Sequence, residues 1–197
     1  MKPATIAVIG MLVIAACAPF GATTRVVSLG AGDVIAAAPA GYCVDSVSSQ
    51  PANDFAVLAP CATLGGDGAV PRILGVATVQ VGPAESGSVV SDEIALRDFL
   101  MTSDGASLLS QSGDAEAIDI LSTQAFNSQV MIYFRDDGPA PLAGLQREEW
   151  RAFTNVSGRL VSIGVRGLAA APLKDGPGAT LLKQMVAGVT AAENATP

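Results

Sequence analysis

Apolar and polar residues alternate along several short stretches of the chain, which is the period of a strand with one face buried. Three short, mainly apolar stretches also predict strands early in the chain, at 25–29, 33–38 and 54–60, and each ends at a Gly or Pro. Stretch 73–81 (ILGVATVQV) is rich in β-branched residues, which favour strands. Further strands are predicted at 117–121, 129–135, 149–154 and 159–166.

Apolar residues at helical spacing predict three helices. The first begins near Ser91, where Asp92 and Glu93 suit the positive first turn. After an interruption at 103–105, a short helix is predicted over 106–111. A closing helix is predicted over about 180–192, following the Asp175-Gly176-Pro177-Gly178 turn. Its apolar stripe is typical of core packing.

The order of these elements, strands then helices then strands and a last helix, predicts an α+β fold. We expect a largely antiparallel sheet with helices packed on it. Asn155-Val156-Ser157-Gly158 is typical of a hairpin turn between two of the strands. The length suits one domain, and we assign it to residues 25–197.

The N-terminus has the layout of a secretory signal. A short positive start, Met1-Lys2, precedes an apolar run at 5–16 that is too short to span a bilayer. The run ends in Ile14-Ala15-Ala16-Cys17, which resembles the lipobox of bacterial lipoproteins. That resemblance implies cleavage after residue 16, lipidation of Cys17 and a lipidated tether at 17–24. Plain secretion is the alternative.

The lipobox resemblance also implies a location. A lipidated Cys17 anchors the protein to a membrane of the cell envelope, facing the periplasm. The anchoring is firm because each buried methylene of an acyl chain contributes about 0.8 kcal/mol to membrane binding. By the sorting rule of Gram-negative lipoproteins, Ala18 favours the outer membrane over the inner one. The expected partner through this anchor is the membrane itself.

Cys43 and Cys61 remain as an even pair once Cys17 is lipidated, and an oxidising compartment favours a disulfide between them. The bridge closes a loop of about eighteen residues, which is worth about 3 kcal/mol in the chain-entropy model. A redox-active pair is the alternative. Such pairs are usually spaced C-x-x-C, so the wide spacing here favours a structural bridge.

Composition excludes several function classes. The formal net charge is −7, and the eleven basic residues are scattered, so nucleic-acid binding is not expected. Histidine is absent, which excludes Ser-His-Asp and Cys-His catalysis and His-ligated zinc. We therefore predict no enzyme activity, no cofactor and no metal.

The remaining motifs also favour structural roles. Gly30-Ala31-Gly32 lacks the third small residue and the long helix of a dinucleotide site, and the 175–178 turn lacks the Lys of a P-loop. The carboxylate pairs at 136–137 and 148–149, and the acidic run 114–119, lack the spacing of a glycosidase or calcium site. A Ser-Lys dyad through Lys174 or Lys183 has no S-x-x-K motif to support it.

Trp150 is the single tryptophan and begins an alternating stretch. Core packing is the favoured interpretation, and an exposed anchor for a partner is the alternative.

The domain also resembles PsbP/Mog1-like proteins in layout. The matching features are the Pro39-Ala40-Gly41-Tyr42 turn after an early strand and the hairpin spanning 150–166. Together with the signal, this makes the chain similar to bacterial envelope lipoproteins of this size. We therefore predict a non-enzymatic structural or protein-interaction module with an envelope protein as partner. Binding of a small apolar ligand in the periplasm is the alternative, and an enzyme without histidine comes third.

Overall fold

The computed structural model describes residues 23–139 and 142–194. The predicted signal at 1–16, Cys17 and most of the tether lie outside this part of the chain. The strands are β1 Val26–Leu29, β2 Val34–Ala37, β3 Tyr42–Val44, β4 Phe55–Pro60, β5 Val76–Val81, β6 Ile118–Phe126, β7 Gln129–Asp136, β8 Glu148–Val156, β9 Arg159–Arg166 and β10 Val189–Ala191. The helices are α1 Glu93–Leu100, α2 Ser103–Leu109 and α3 Asp175–Ala187.

Within the described residues, seven of the strands form a main sheet in the order β3-β4-β5-β9-β8-β7-β6, and every neighbouring pair is antiparallel. A smaller sheet has the order β1-β2-β10. This arrangement confirms the predicted α+β class with a largely antiparallel sheet. The predicted Cys43–Cys61 disulfide is also present.

The main sheet carries a hydrophobic layer on each face. On one face, Trp150, Ile163 and Val79 pack beneath α3 and the small sheet in the larger core cluster. On the other face, Val130, Ile132 and Phe134 pack against Leu100 of α1 and Leu109 of α2. The residues of β7 contribute alternately to the two layers, because successive side chains of a strand point to opposite faces.

Two tight hairpins hold the register of the second half of the main sheet. Asn127 and Ser128 join β6 to β7, and Ser157 and Gly158 join β8 to β9, all four with positive φ. Two consecutive left-handed residues give the turn whose twist matches that of the flanking strands. The predicted turn at 155–158 is confirmed.

The structure differs from the sequence expectations at short elements. Strands β3 and β10 have three residues each and carry too short a pattern to be predicted. Helix α2 begins at Ser103 rather than Ala106, because the Thr102 hydroxyl accepts a hydrogen bond from the Gly105 N–H and caps it. Helix α3 spans 175–187 rather than 180–192, so Val189, which lies within the predicted helix, belongs to β10.

The disulfide fastens one end of the main sheet. Cys43 lies in the edge strand β3 and Cys61 directly follows β4, with a Cα–Cα distance of 4.9 Å. The Cys61 N–H also donates to the Gly41 carbonyl, at 2.9 Å. The bridge therefore holds a three-residue edge strand to its only neighbour in the described sheet.

Candidate functional site

A groove runs along α3 between the helix and the exposed part of the main sheet. Its floor is formed by Met131, Tyr133 and Trp150, and its rims include Gln124 of β6 and Lys183 of α3. This section has a volume of about 280 Å³. We call the whole depression the α3 groove.

The α3 groove continues toward the tip of the β6–β7 hairpin. Met131 and Lys183 line both sections, and the second section adds Phe126, Val186 and a volume of about 390 Å³. The Phe126 side chain is 39% exposed although it is large and apolar. The groove is therefore an open, partly apolar surface along the length of the helix.

Two aromatic rings form the centre of the groove floor. Tyr133 and Trp150 are directly opposite one another on β7 and β8, and their rings stack with centroids 4.3 Å apart. The Trp150 indole N–H donates to Oδ1 of Asp175, the first residue of α3, at 3.4 Å. Desolvation of the phenol raises the pKa of Tyr133, and the negative charges of Glu148 and Asp175 raise it further. The tyrosine thus remains a neutral hydrogen-bonding group at physiological pH.

Close contact between α3 and Trp150 sets the position of the helix. Gly178 lies in the first turn of α3, and a Cβ added there would be 2.4 Å from Cε2 of Trp150. The indole itself is only 2% exposed. Core packing of Trp150, the interpretation favoured from the sequence, is confirmed, and its ring also forms part of the groove.

The other face of the main sheet carries a buried charge cluster. Nε of Arg166 donates to Oε2 of Glu149 at 2.8 Å, while Nη2 lies 2.7 Å from the same oxygen and 4.0 Å from Oδ2 of Asp136. Arg151 donates to Oε1 of Glu149 at 2.6 Å. A small pocket of about 160 Å³ adjoins these groups. The charges balance, and the cluster joins β7, β8 and β9 where they meet.

Four of the carboxylates singled out in the sequence, Asp114, Asp136, Asp137 and Glu149, have structural partners. Asp136 accepts hydrogen bonds from the backbone N–H groups of Gln111 and Gly138. Asp137 is exposed, and its hydrogen bond from Arg147, with a second from Arg135, lowers its pKa. Asp114 accepts from the Glu116 N–H and caps a short turn. Within the described residues no group of three or more acidic or Cys side chains is placed to hold a metal ion.

Sequence patterns did not identify the residues that form the α3 groove. The alternation along β7 and β8 places Met131, Tyr133 and Trp150 on one face, which is a usable signal. The path of α3 over that face depends on contacts between residues distant in sequence, such as Gly178 with Trp150. No pattern local to either segment encodes that contact.

No helix in the described part of the chain has the length and apolar character needed to cross a bilayer.

Comparisons with known proteins gave structural likenesses only. No protein family and no curated protein matches the sequence. The fold is similar to that of a mutant of the protein Mog1, with 12% identity, a TM-score of 0.48, and coverage of 85% of this chain and 95% of that one. It is similar to the Ran-binding protein Mog1p of Saccharomyces cerevisiae, with 11% identity, a TM-score of 0.48, and coverage of 87% and 97%.

A third similar structure is cyanobacterial PsbP (CyanoP) from Synechocystis, with 12% identity, a TM-score of 0.43, and coverage of 90% and 98%. Mog1 and PsbP are the two kinds of protein whose layout the sequence resembles. Likenesses of this size concern the arrangement of the chain and carry no conclusion about activity or partners.

Proposed function

We propose that this protein is a non-enzymatic interaction module of the bacterial cell envelope, held to the outer membrane by lipid on Cys17. A protein partner binds in the α3 groove. The observation that carries the proposal is the groove itself, where the partly exposed rings of Tyr133 and Phe126 line an open surface beside α3 and Tyr133 stacks on the buried Trp150. Aromatic residues with an apolar body and a polar tip are enriched where proteins bind one another.

The chemistry of the groove supports binding rather than catalysis. Its polar side chains include Ser122, Gln124, Tyr133, Asp175 and Lys183, and the chain has no histidine to activate any of them. Ser122 and Lys183, the members of a possible Ser-Lys dyad, line the groove together, but no hydrogen bond between them is found among the described residues. Asp175 accepts the hydrogen bond from Trp150 and begins α3, which gives it a structural role. The buried Glu149–Arg166 pair lies on the opposite face of the sheet and is neutralised internally.

Site-specific photo-crosslinking in the native membrane tests the groove. Benzoylphenylalanine is placed at Gln124 or Lys183, which line the groove, and at Gln184, an exposed neighbour on the same helix outside it. We expect one envelope protein to be crosslinked from both groove positions and not from Gln184. Equal yields from all three positions, or no crosslink from the groove, would overturn the proposal.

The anchor is tested separately. Its support is the Ile14-Ala15-Ala16-Cys17 sequence. Replacing Cys17 with Ser is expected to move the protein from the membrane pellet to the soluble periplasmic fraction and to abolish incorporation of labelled palmitate. A C17S protein that stays in the pellet refutes the lipid anchor and leaves the groove proposal standing.

A second candidate is binding of a small apolar ligand in the same groove. The section around Tyr133 and Trp150 has a volume of about 280 Å³, near the lower limit for small-molecule sites of roughly 300 Å³. Trp150 is the single tryptophan, so a ligand seated there changes its fluorescence directly. Saturable quenching by lipid extracts of the envelope would support this candidate, and an unchanged spectrum would exclude it.

A further inference from the structure

The two edge strands of the main sheet differ in length and in how far their backbone groups are covered. At one end, β3 has three residues, carries a disulfide to the end of β4, and its Val44 N–H donates to the Thr24 carbonyl at 2.8 Å. At the other end, β6 has nine residues and pairs only with β7 among the described residues. Edge strands are usually shortened, charged or covered because their backbone groups can pair with another chain.

The hairpin register shows which backbone groups of β6 point outward. Phe126 and Gln129 close the two-residue turn, so Phe126, Gln124 and Ser122 exchange hydrogen bonds with β7. The N–H and C=O groups of Thr123 and Ala125, at the alternate positions, face away from the sheet. Neither residue's outward N–H has a hydrogen-bond partner within the described part of the chain.

The edge formed by β6 has little of the usual protection against pairing with another chain. From Leu121 to Phe126 the sequence is LSTQAF, without a charged residue or proline. A bulge between Ile120 and Ser122 bends the strand, and Asp119 lies beyond it. The exposed pairing surface is therefore a six-residue, uncharged segment bounded by the bulge and by the hairpin turn.

We propose that β6 receives an extended, uncharged segment of the envelope partner as an additional strand of the main sheet. The assignment rests on the proposed interaction function and specifies the chemistry of the partner. The backbone of the segment pairs with the outward groups of Thr123 and Ala125. Its alternate side chains lie beside Ser122, Gln124 and Phe126, on the face of β6 that borders the α3 groove.

The charges around β6 favour a different protein over a second copy of this chain. Antiparallel pairing of two β6 strands centred on Thr123 would place Asp119 of one copy beside the Asn127-Ser128 turn of the other. The carboxylate of Glu93 accepts the Ser128 N–H at that turn. Two acidic groups would then adjoin at each end, in molecules that each carry a formal charge of −7.

The test removes an outward N–H without touching the hairpin. Thr123→Pro deletes a donor that β7 does not use, and proline is tolerated on the solvent side of an edge strand. Thr123→Val keeps the N–H and is the matched control of similar shape. Each variant is combined with benzoylphenylalanine at Lys183 in the lipidated, full-length protein, and the yield of crosslinked partner is measured in membranes.

We expect T123P to lower the yield by about tenfold and T123V to change it less than about twofold, because strand pairing depends on the backbone donor. Circular dichroism and the unfolding midpoint show whether each variant folds. If T123P does not fold, Ala125→Pro, with Ala125→Ser as control, repeats the test at the other outward position.

Three results would overturn the inference. Equal yields from T123P and T123V would show that the partner uses the groove without pairing to β6, and would leave the proposed function intact. A crosslinked product consisting of two copies of this chain would assign the edge to self-association. Absence of any groove-specific crosslink in the protein without the Thr123 substitutions would refute the proposed function itself.

Discussion

Gly178 offers a sharp test of how α3 is held over the groove floor. It lies in the first turn of α3, and an added Cβ would lie 2.4 Å from Cε2 and 2.5 Å from Cδ2 and Cζ2 of Trp150. These separations are more than 1 Å shorter than a normal carbon–carbon contact of about 3.5–4.0 Å. The Gly178→Ala substitution therefore requires either the helix or the indole to move.

The expected cost follows from two opposing effects. Overpacking of a core costs about 1–3 kcal/mol. Replacing Gly by Ala in a helix stabilises it by roughly 0.5–1 kcal/mol. The difference of the two ranges is about 0–2.5 kcal/mol, and because the overlap involves three indole atoms at 2.4–2.5 Å, we expect G178A to lower the free energy of unfolding by about 1–2.5 kcal/mol.

Gly176→Ala is the matched control. Gly176 lies two residues earlier in the same helical turn, and an added Cβ there meets no described atom within 4 Å. Without the conflict with Trp150, the helix preference of Ala is opposed only by the crowding of its Cβ against the ring of Pro177, so G176A is expected to change the free energy of unfolding by less than about 1 kcal/mol in either direction.

Urea unfolding followed by tryptophan fluorescence measures both variants, because Trp150 is the only tryptophan and reports its own environment. In G178A the native emission should also shift, since the indole and its stack with Tyr133 are displaced. A G178A protein as stable as the unsubstituted one, or a G176A protein destabilised to the same extent, would refute the reasoning.

Three further predictions concern the Cys43–Cys61 disulfide, the buried charge cluster and the tyrosines. The Cys43→Ala/Cys61→Ala double variant should lose about 3 kcal/mol in urea unfolding, and dithiothreitol should destabilise the unsubstituted protein but not the variant. Glu149→Gln removes the carboxylate that is hydrogen-bonded to the buried Arg166, with only Asp136 remaining at 4.0 Å, and should cost about 3–5 kcal/mol. Glu148→Gln breaks no ion pair among the described residues and should cost less than about 0.5 kcal/mol. Burial raises the pKa of Tyr42 to about 12. Tyr42 is the one tyrosine left in the Tyr133→Phe variant, so absorbance titration of that variant should show a single transition at a pH well above 10. The free energy of unfolding should fall as the pH rises from 10, because only the unfolded chain then ionises this phenol.

Most of the main sheet and its pairing class were predictable from the chain itself. Alternation at 149–154 and 159–166 with a turn signal between them predicted β8 and β9; the structure lengthens β8 to Glu148–Val156 and gives β9 the predicted bounds. These strands carry their own pattern and their own turn. The disulfide was predictable as well, because two cysteines remained for one bridge.

The elements that were missed depend on distant contacts. Helix α3 ends at Ala187 because the Gly188 carbonyl accepts a hydrogen bond from the Ala37 N–H at 2.8 Å, and a Cβ at Gly188 would collide with the Ala37 carbonyl oxygen. Strand β10 then follows along β2. A sequence pattern that continues through Val189 contains no sign of residue 37, so the helical period was extended too far.

The candidate site was less predictable than the fold for the same reason. Trp150 was recognised as a core residue, and it is one. Its second role, as part of an open groove, arises because α3 covers only part of the face on which Tyr133 and Met131 lie. The outward backbone groups of β6 are fixed by the register of the hairpin, and their availability depends on the absence of another strand beside them in the described sheet.

The order of the strands separates the start of the described chain from the edge of β6. The described chain begins beside β3, where the Thr24 carbonyl accepts the Val44 N–H, and β6 lies six strand positions away across the main sheet. At about 4.8 Å between neighbouring strands, the two edges are about 29 Å apart. The start of the described chain thus adjoins the disulfide-fastened edge, and the uncharged edge of β6 lies at the far side of the sheet. An open edge strand promotes aggregation wherever copies of a protein are concentrated. The open edge of β6 is restricted to six residues by the bulge at Leu121 and the turn at Asn127. This short edge favours recognition of one short segment over extended self-assembly.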